Sequence, residues 1–257
     1  MRLGLQTFTI RKSQKKDIKK AYLSCIELGI FEYEVARIDF NEENARILKE
    51  LVDDYKIKIV SIQVKPKIVF HEVEKIVQFC KIVGCKNVVI SMLPFNCILG
   101  NESKFHEFLN SLDTQYDVYK QHGLELAYHH HDWEYVTLSN GKMRMDEIID
   151  KTSKIKFVHD TYWTTRSGID CCYQMERFGS RLIGMHVRDV VLYQKGIKVF
   201  SKNGAIGEGI VDFKRIFKKA KELGCEYFVF EQNTKKPYEM ITKSIENSKR
   251  IIAEVEE

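Results

Sequence analysis

The sequence predicts the α/β fold class, as a single closed (β/α)8 barrel. Three observations carry this expectation. Short apolar stretches of strand type alternate with stretches whose apolar residues recur at helical spacing, and the alternation repeats eight times along the chain. Glycine recurs where a helix turns back into a strand, at Gly29, Gly84, Gly123 and Gly224. A length of 257 residues suits eight such units. No glycine-rich fingerprint follows the first strand, as an open dinucleotide-binding sheet would require.

The elements follow in order. Leu3 to Ile10 is β-rich and ends at Arg11, and Lys15 to Gly29 then carries Ile18, Ala21, Tyr22, Cys25 and Ile26 at helical spacing. Phe31 to Ile38 is the second strand, and Asn41 to Tyr55 a helix with Ala45, Leu48, Leu51 and Val52 on one face. Ile57 to Val64 is the third strand, closed by Pro66, and Val69 to Val83 the helix after it. Asn87 to Leu93 is the fourth strand, closed by Pro94, and Phe105 to His122 its helix. Leu124 to His131 is the fifth strand and Met145 to Thr152 a short helix. Ile155 to Asp160, then a helix from Ile169 to Phe178, make the sixth unit. Leu182 to Asp189 is the seventh strand, followed by a long loop that includes Lys198 to Gly209 and a helix from Asp212 to Leu223. Glu226 to Gln232 and the helix Pro237 to Glu256 complete the eighth. No linker divides the chain, so residues 1–257 are expected to form one domain.

Composition narrows the function classes. The net charge is +5, from 41 basic and 36 acidic residues with both signs interspersed, which does not favour a nucleic-acid partner. No stretch approaches the roughly 20 apolar residues of a membrane span. The opening MRLGLQTFTIRKSQ lacks the apolar core of a signal peptide, so a cytoplasmic location is expected. Seven cysteines without a C-x-x-C pair read as buried free thiols in a reducing compartment, with Cys97 or Cys171 as the alternative of a nucleophile.

In a barrel of this kind the active site gathers at the C-terminal ends of the strands. Metal-type side chains end all four strands of the second half: His129 to His131, His159 and Asp160, His186 to Asp189, and Glu231 with Gln232. Successive strand side chains face opposite ways. If Tyr128, Phe157, Phe228 and Phe230 face the helices, then His129 and His131, Asp160, His186 and Glu231 face the barrel. Two carboxylates with one or two imidazoles suit Mn2+, Co2+, Mg2+ or Zn2+. Such an ion would polarise a carbonyl and favour an enediolate.

These residues resemble a known family. LGLQTFTIR, AYHHHDWEY, HDTYW, MHVRD, GEGIVD and FEQN occur in the order seen in the xylose isomerase-like TIM barrels, the sugar phosphate isomerase/epimerase superfamily, and the resemblance covers essentially the whole chain. It implies a divalent metal held by Glu, Asp, His and Glu from the last four strands. Asp160, His186 and Glu231 match directly. Strand five departs, with Tyr-His-His-His where much of the family has glutamate, as in a subgroup that includes inosose dehydratase-like proteins. His129 or His131 stands in for the missing ligand, or the site is weakened or lost.

The expected roles follow. Glu231 is a ligand and proton-transfer base, Glu134 a second proton-moving carboxylate, and His131 a general acid or a substrate-orienting group. Gln6, Trp133, Trp163, Arg188 and Asp189 are candidate substrate contacts, with core packing or a local ion pair as the structural alternative. The leading expectation is a metal-dependent isomerase or epimerase acting on a small carbohydrate. A lyase or dehydratase on a keto-sugar, keto-inositol or 3-keto-glycoside is the alternative. A non-catalytic sugar-binding barrel and an abasic-site endonuclease rank below both, and assembly as a homo-oligomer stays open.

Overall fold

Eight parallel strands close on themselves, and they are the eight that the hydrophobic pattern marks. The computed structural model describes residues 2–256. The chain runs β1 (Leu3–Gln6), α1 (Arg11–Gln14), α2 (Ile18–Glu27), β2 (Glu32–Ala36), α3 (Glu42–Tyr55), β3 (Lys58–Val64), α4 (Pro66–His71), α5 (Val73–Val83) and β4 (Asn87–Ile90). It continues through α6 (Phe95–Ile98), α7 (Glu102–Gln121), β5 (Glu125–His129), α8 (Arg144–Lys151), β6 (Lys156–Asp160), α9 (Thr161–Arg166), α10 (Cys171–Phe178) and β7 (Leu182–Val187). It ends with β8 (Asp189–Lys195), β9 (Lys198–Gly204), α11 (Phe213–Glu222), β10 (Tyr227–Phe230) and α12 (Pro237–Glu256). Around the barrel the order is β1-β10-β7-β6-β5-β4-β3-β2, closed by β2 on β1. This is a (β/α)8 TIM barrel.

Two apolar layers hold it. Inside the barrel, Val60, Val89, Ala127, Val158, Ile183, Tyr227 and Val229 form a small buried cluster. Between strands and helices a larger one includes Tyr33, Ile62, Tyr128, Phe157, Phe228 and Phe230. Most bulky side chains face the helices, and the large ring that lies inside, Tyr227, fits because Gly184 leaves it room. A Cβ at Gly184 would lie 2.2 Å from that ring. Side-chain caps begin several helices, as Asp17 does for α2, Asn41 for α3, Asn101 for α7 and Asp212 for α11.

The structure departs from expectation in four places. The first strand stops at Gln6, because the Gln6 side chain accepts the Phe8 amide and starts a 3-10 turn over Thr7–Ile10. The helix expected over Val69 to Val83 is broken at Glu72, and its first half starts earlier, at Pro66. An extra helix, α9, follows β6 directly, capped by Asp160 itself. The loop expected over Lys198 to Gly209 is largely the antiparallel hairpin β8–β9, paired from Asp189↔Gly204 to Lys195↔Lys198. Its strands carry exposed Leu192, Tyr193, Val199 and Phe200, with Ile197 at the tip. No helix among the described residues is long and apolar enough to cross a membrane.

Candidate metal centre and active-site cleft

At the C-terminal ends of the barrel strands lies a cleft of about 640 Å3. Gln6, His129, His131, Trp133, Trp163, Arg188 and Glu231 are among its walls. His129, Asp160, His186 and Glu231 each offer one ligand atom, and these atoms all lie within 4.8 Å of one another. The strand parity read from the sequence explains the convergence. Ala127 and Val158 lie in the barrel interior, so His129 and Asp160, two residues further along β5 and β6, face the same way.

The ligand atoms lie close enough together that one cation could bridge them. His129 Nε2 is 3.4 Å from Asp160 Oδ2, and His186 Nδ1 is 3.7 Å from the same oxygen and 3.3 Å from Glu231 Oε2. His186 Nδ1 is buried and makes no hydrogen bond. A buried nitrogen without a partner, aimed at two carboxylates, is what a divalent ion would satisfy, and the donor set of two imidazoles and two carboxylates fits one. Arg188 Nη1 lies 3.1 Å from Asp160 Oδ2 and 3.2 Å from Glu231 Oε1.

Electrostatics keep both carboxylates ionised. Burial opposes the charge on Asp160, but Arg188, His129 and His186 hold its carboxyl well below the usual range. Burial likewise opposes the charge on Glu231, and Arg188 and His186 bring it down to about 2. For His186 burial favours the neutral ring, yet Glu34, Asp160 and Glu231 raise it well above the ordinary histidine value. His131 goes the other way: burial, with His129 beside it, lowers it well below that value. Neither ring nitrogen of His131 hydrogen-bonds to another described residue, and the ring stacks on Trp133 with centroids 4.7 Å apart.

Each expected residue has a place. His129 supplies the strand-five nitrogen of the cluster, while His131 is turned toward Trp133 and Trp163. Asp160 is shared: Oδ1 accepts the Trp163 amide at 3.0 Å and caps α9, which leaves Oδ2 for the cluster. Gln6 lines the cleft and donates to Gln63 at 2.8 Å. Glu134 does not line it. Its carboxylate lies behind β5, where it accepts the Tyr128 hydroxyl and the His131 amide. Asp189 is also elsewhere, accepting the amides of Val190, Gly209 and Val211 and so tying down the base of the hairpin. Burial raises the thiols of Cys97 and Cys171, the latter to about 12, so neither is a ready thiolate.

Sequence reasoning passed over Glu34, Ser61 and His130. Glu34 accepts from His186 Nε2 at 2.6 Å and from Ser61 Oγ at 2.6 Å. His130 Nε2 accepts the Asp160 amide. The available signal was a charged residue inside an apolar strand, but Glu32 and Glu34 share a parity. The register shift between Tyr33 and Glu34, which sets Glu34 opposite Ser61, is not visible in the sequence.

Comparison with known proteins places the chain among related barrels. The sequence profile described as xylose isomerase-like TIM barrel matches residues 16–252. An inosose dehydratase of Mesomycoplasma hyopneumoniae strain 7448 is 26% identical over 185 residues, which is 65% of this chain and 61% of that protein. The chain thus spans about three fifths of the length of the curated relatives it matches. The solved structure of a sugar phosphate isomerase/epimerase from Parabacteroides distasonis ATCC 8503 superimposes with a TM-score of 0.77 at 21% identity, covering 94% of this chain and 91% of that one. The IOLI protein with a bound zinc atom superimposes with a TM-score of 0.69 at 14% identity, covering 99% of both chains.

Proposed function

Because the chain belongs to the xylose isomerase-like TIM barrel family, we propose that it is a divalent-metal-dependent enzyme that removes the proton next to the carbonyl of a small keto-carbohydrate and then expels water, as a dehydratase does. His129, Asp160, His186 and Glu231 would hold the ion. The ion would supply Lewis-acid polarisation of the carbonyl.

The observation that carries the reading is the division of labour in the cleft. Glu231 is the only glutamate among the described residues that line it, and both its oxygens are engaged, with Arg188 and with His186. His131 is neutral and unengaged. An epimerase that moves protons with two carboxylates lacks its second one here, because Glu134 sits behind the strand. Elimination needs only one group. His131 accepts the α-proton as the C–H bond breaks, and the electron pair delocalises into the carbonyl. As the carbonyl re-forms, the C–O bond at the β-carbon breaks, and the departing hydroxide takes the proton from His131 as water. Trp133 and Trp163 offer flat apolar surfaces to the C–H face of a sugar or cyclitol ring, and Arg188 donates to its oxygens. The inosose dehydratase relative supports the same choice.

The test is incubation of metal-loaded protein with keto-inositols and ketoses in D2O. The reading expects deuterium at the α-carbon and an unsaturated product, both lost in His131→Asn, which keeps its metal. Deuterium with an epimerised or isomerised product and no elimination would favour the isomerase reading, which shares the first half-reaction and which the structural relative from P. distasonis supports. No exchange by metal-loaded protein on any of these compounds would sink both.

A further inference from the structure

We propose that Glu34 is a positioning residue for the ion site: it fixes His186 so that Nδ1, not Nε2, faces the cluster. The proposal rests on the reading of His129, Asp160, His186 and Glu231 as that site. Glu34 lies on β2 and His186 on β7, three places apart in the strand order β2-β1-β10-β7, so their 2.6 Å bond crosses the barrel interior. Both side chains are fully buried.

The chemistry leaves little freedom. The Glu34 carboxyl accepts the Ser61 hydroxyl through Oε2 and meets His186 Nε2 through Oε1 at 2.6 Å, the placement of a ring N–H donating to a carboxyl oxygen. A bound ion displaces the second ring proton, and an imidazole that still donates through Nε2 then has its lone pair on Nδ1. Nδ1 is the nitrogen found buried, without a hydrogen bond, and facing Asp160 and Glu231. The Glu34 carboxylate is itself held. Oε2 accepts from Ser61 Oγ at 2.6 Å, with the Tyr227 hydroxyl at 3.5 Å, so it cannot swing away from the ring. A carboxylate behind a ligating imidazole orients the ring and raises its basicity toward the ion. Glu34 does not line the cleft, so it acts through His186 and not on a substrate.

The test uses EDTA-stripped protein. Zn2+ affinity is measured by competition with a chromogenic chelator. The ligating nitrogen is identified by 113Cd–15N coupling in Cd2+-loaded protein with labelled histidine. Wild type is expected to couple through Nδ1 of His186. Glu34→Gln, which keeps an oxygen to accept Nε2–H but loses the charge, is expected to keep the Nδ1 coupling and bind Zn2+ roughly 10-fold more weakly. Glu34→Ala is expected to weaken binding by roughly 10- to 100-fold and to lose the exclusive Nδ1 coupling. A merely structural role would lower the unfolding temperature and leave the coupling where it is. Glu34→Gln binding within twofold of wild type would overturn the proposal, even if Glu34→Ala does not fold. Asp160→Ala and His186→Ala separate the two levels: if both bind Zn2+ like wild type, the ion site itself is wrong, and the role of Glu34 with it.

Discussion

His130 Nε2 accepts the backbone amide of Asp160 at 3.1 Å, so the strand end that carries one candidate ligand hangs from the histidine beside another. The bond requires a bare Nε2. Burial, with His159 and His129 nearby, keeps His130 neutral by lowering it well below the ordinary value. The middle histidine of the triplet thus faces away from the cleft and sets the position of what faces into it.

Replacing His130 by Ala strands that buried amide. The expected loss is about 1–3 kcal/mol for the unsatisfied donor alone, with a further loss from the cavity. Urea unfolding at pH 7.5 measures it, and an unchanged midpoint would contradict the assignment.

Glu134 makes a pH-dependent prediction. Burial pushes its carboxyl from the ordinary value of 4.5 up to about 7. Its folded value is raised, so below pH 4.5 both folded and unfolded chains hold the proton and nothing is lost. Between 4.5 and 7 the unfolded chain gives it up first, so stability falls as pH rises, by about 3 kcal/mol in all. Glu134→Gln removes this pH dependence. The gap in unfolding free energy between the variant and wild type is therefore expected to widen in favour of the variant from pH 4.5 to 7 and then level off. The variant should retain proton exchange, because Glu134 lies outside the cleft; loss of exchange would restore Glu134 as a catalytic candidate.

On the proposed reading an ion at the cluster would bind the folded chain and not the unfolded one. At 100 times its dissociation constant it is expected to add about 2.7 kcal/mol. Thermal unfolding with Mn2+, Co2+ and Zn2+ should show a concentration-dependent rise that EDTA reverses and Asp160→Ala abolishes. A rise that persists in Asp160→Ala would place the ion elsewhere.

Asp189 holds three amides at the base of the hairpin. Asp189→Ala is expected to speed proteolytic nicking within β8 and β9 several-fold, read by mass spectrometry of the fragments. If nicking is unchanged while substrate affinity falls, Asp189 is a substrate contact after all.

The barrel is legible in the sequence because its signals are local. Phe157 and Phe230 against Val158 and Val229 already say which way each strand faces. The same alternation points Asp160, His186 and Glu231 inward without any coordinates. What the sequence does not show depends on bulges and on chain reversals just past strand ends. Glu134 lies five residues beyond His129, yet the 3-10 turn over Trp133–Tyr135 folds it back behind β5, where Tyr128 receives it. The pairing of Glu34 with His186 spans 152 residues and depends on a register shift in β2. The hairpin is not legible in the sequence because its residues are largely exposed on both faces and carry no clean alternation.

The closing seam joins the two barrel strands that lie farthest apart in the sequence. Leu3 pairs with Phe228, and the Gln232 amide reaches Thr9 Oγ1 at 2.9 Å, so the two ends of the chain meet at β1 and β10. Contacts between residues so far apart carry the largest loop-closure entropy in the chain, and they reward folding last. Glu231 is the residue just after β10, one step from that seam. The four cluster residues already share the ends of the neighbouring strands β5, β6, β7 and β10, so what closure at β1 delivers is Glu34 of β2, set across the barrel against His186 of β7.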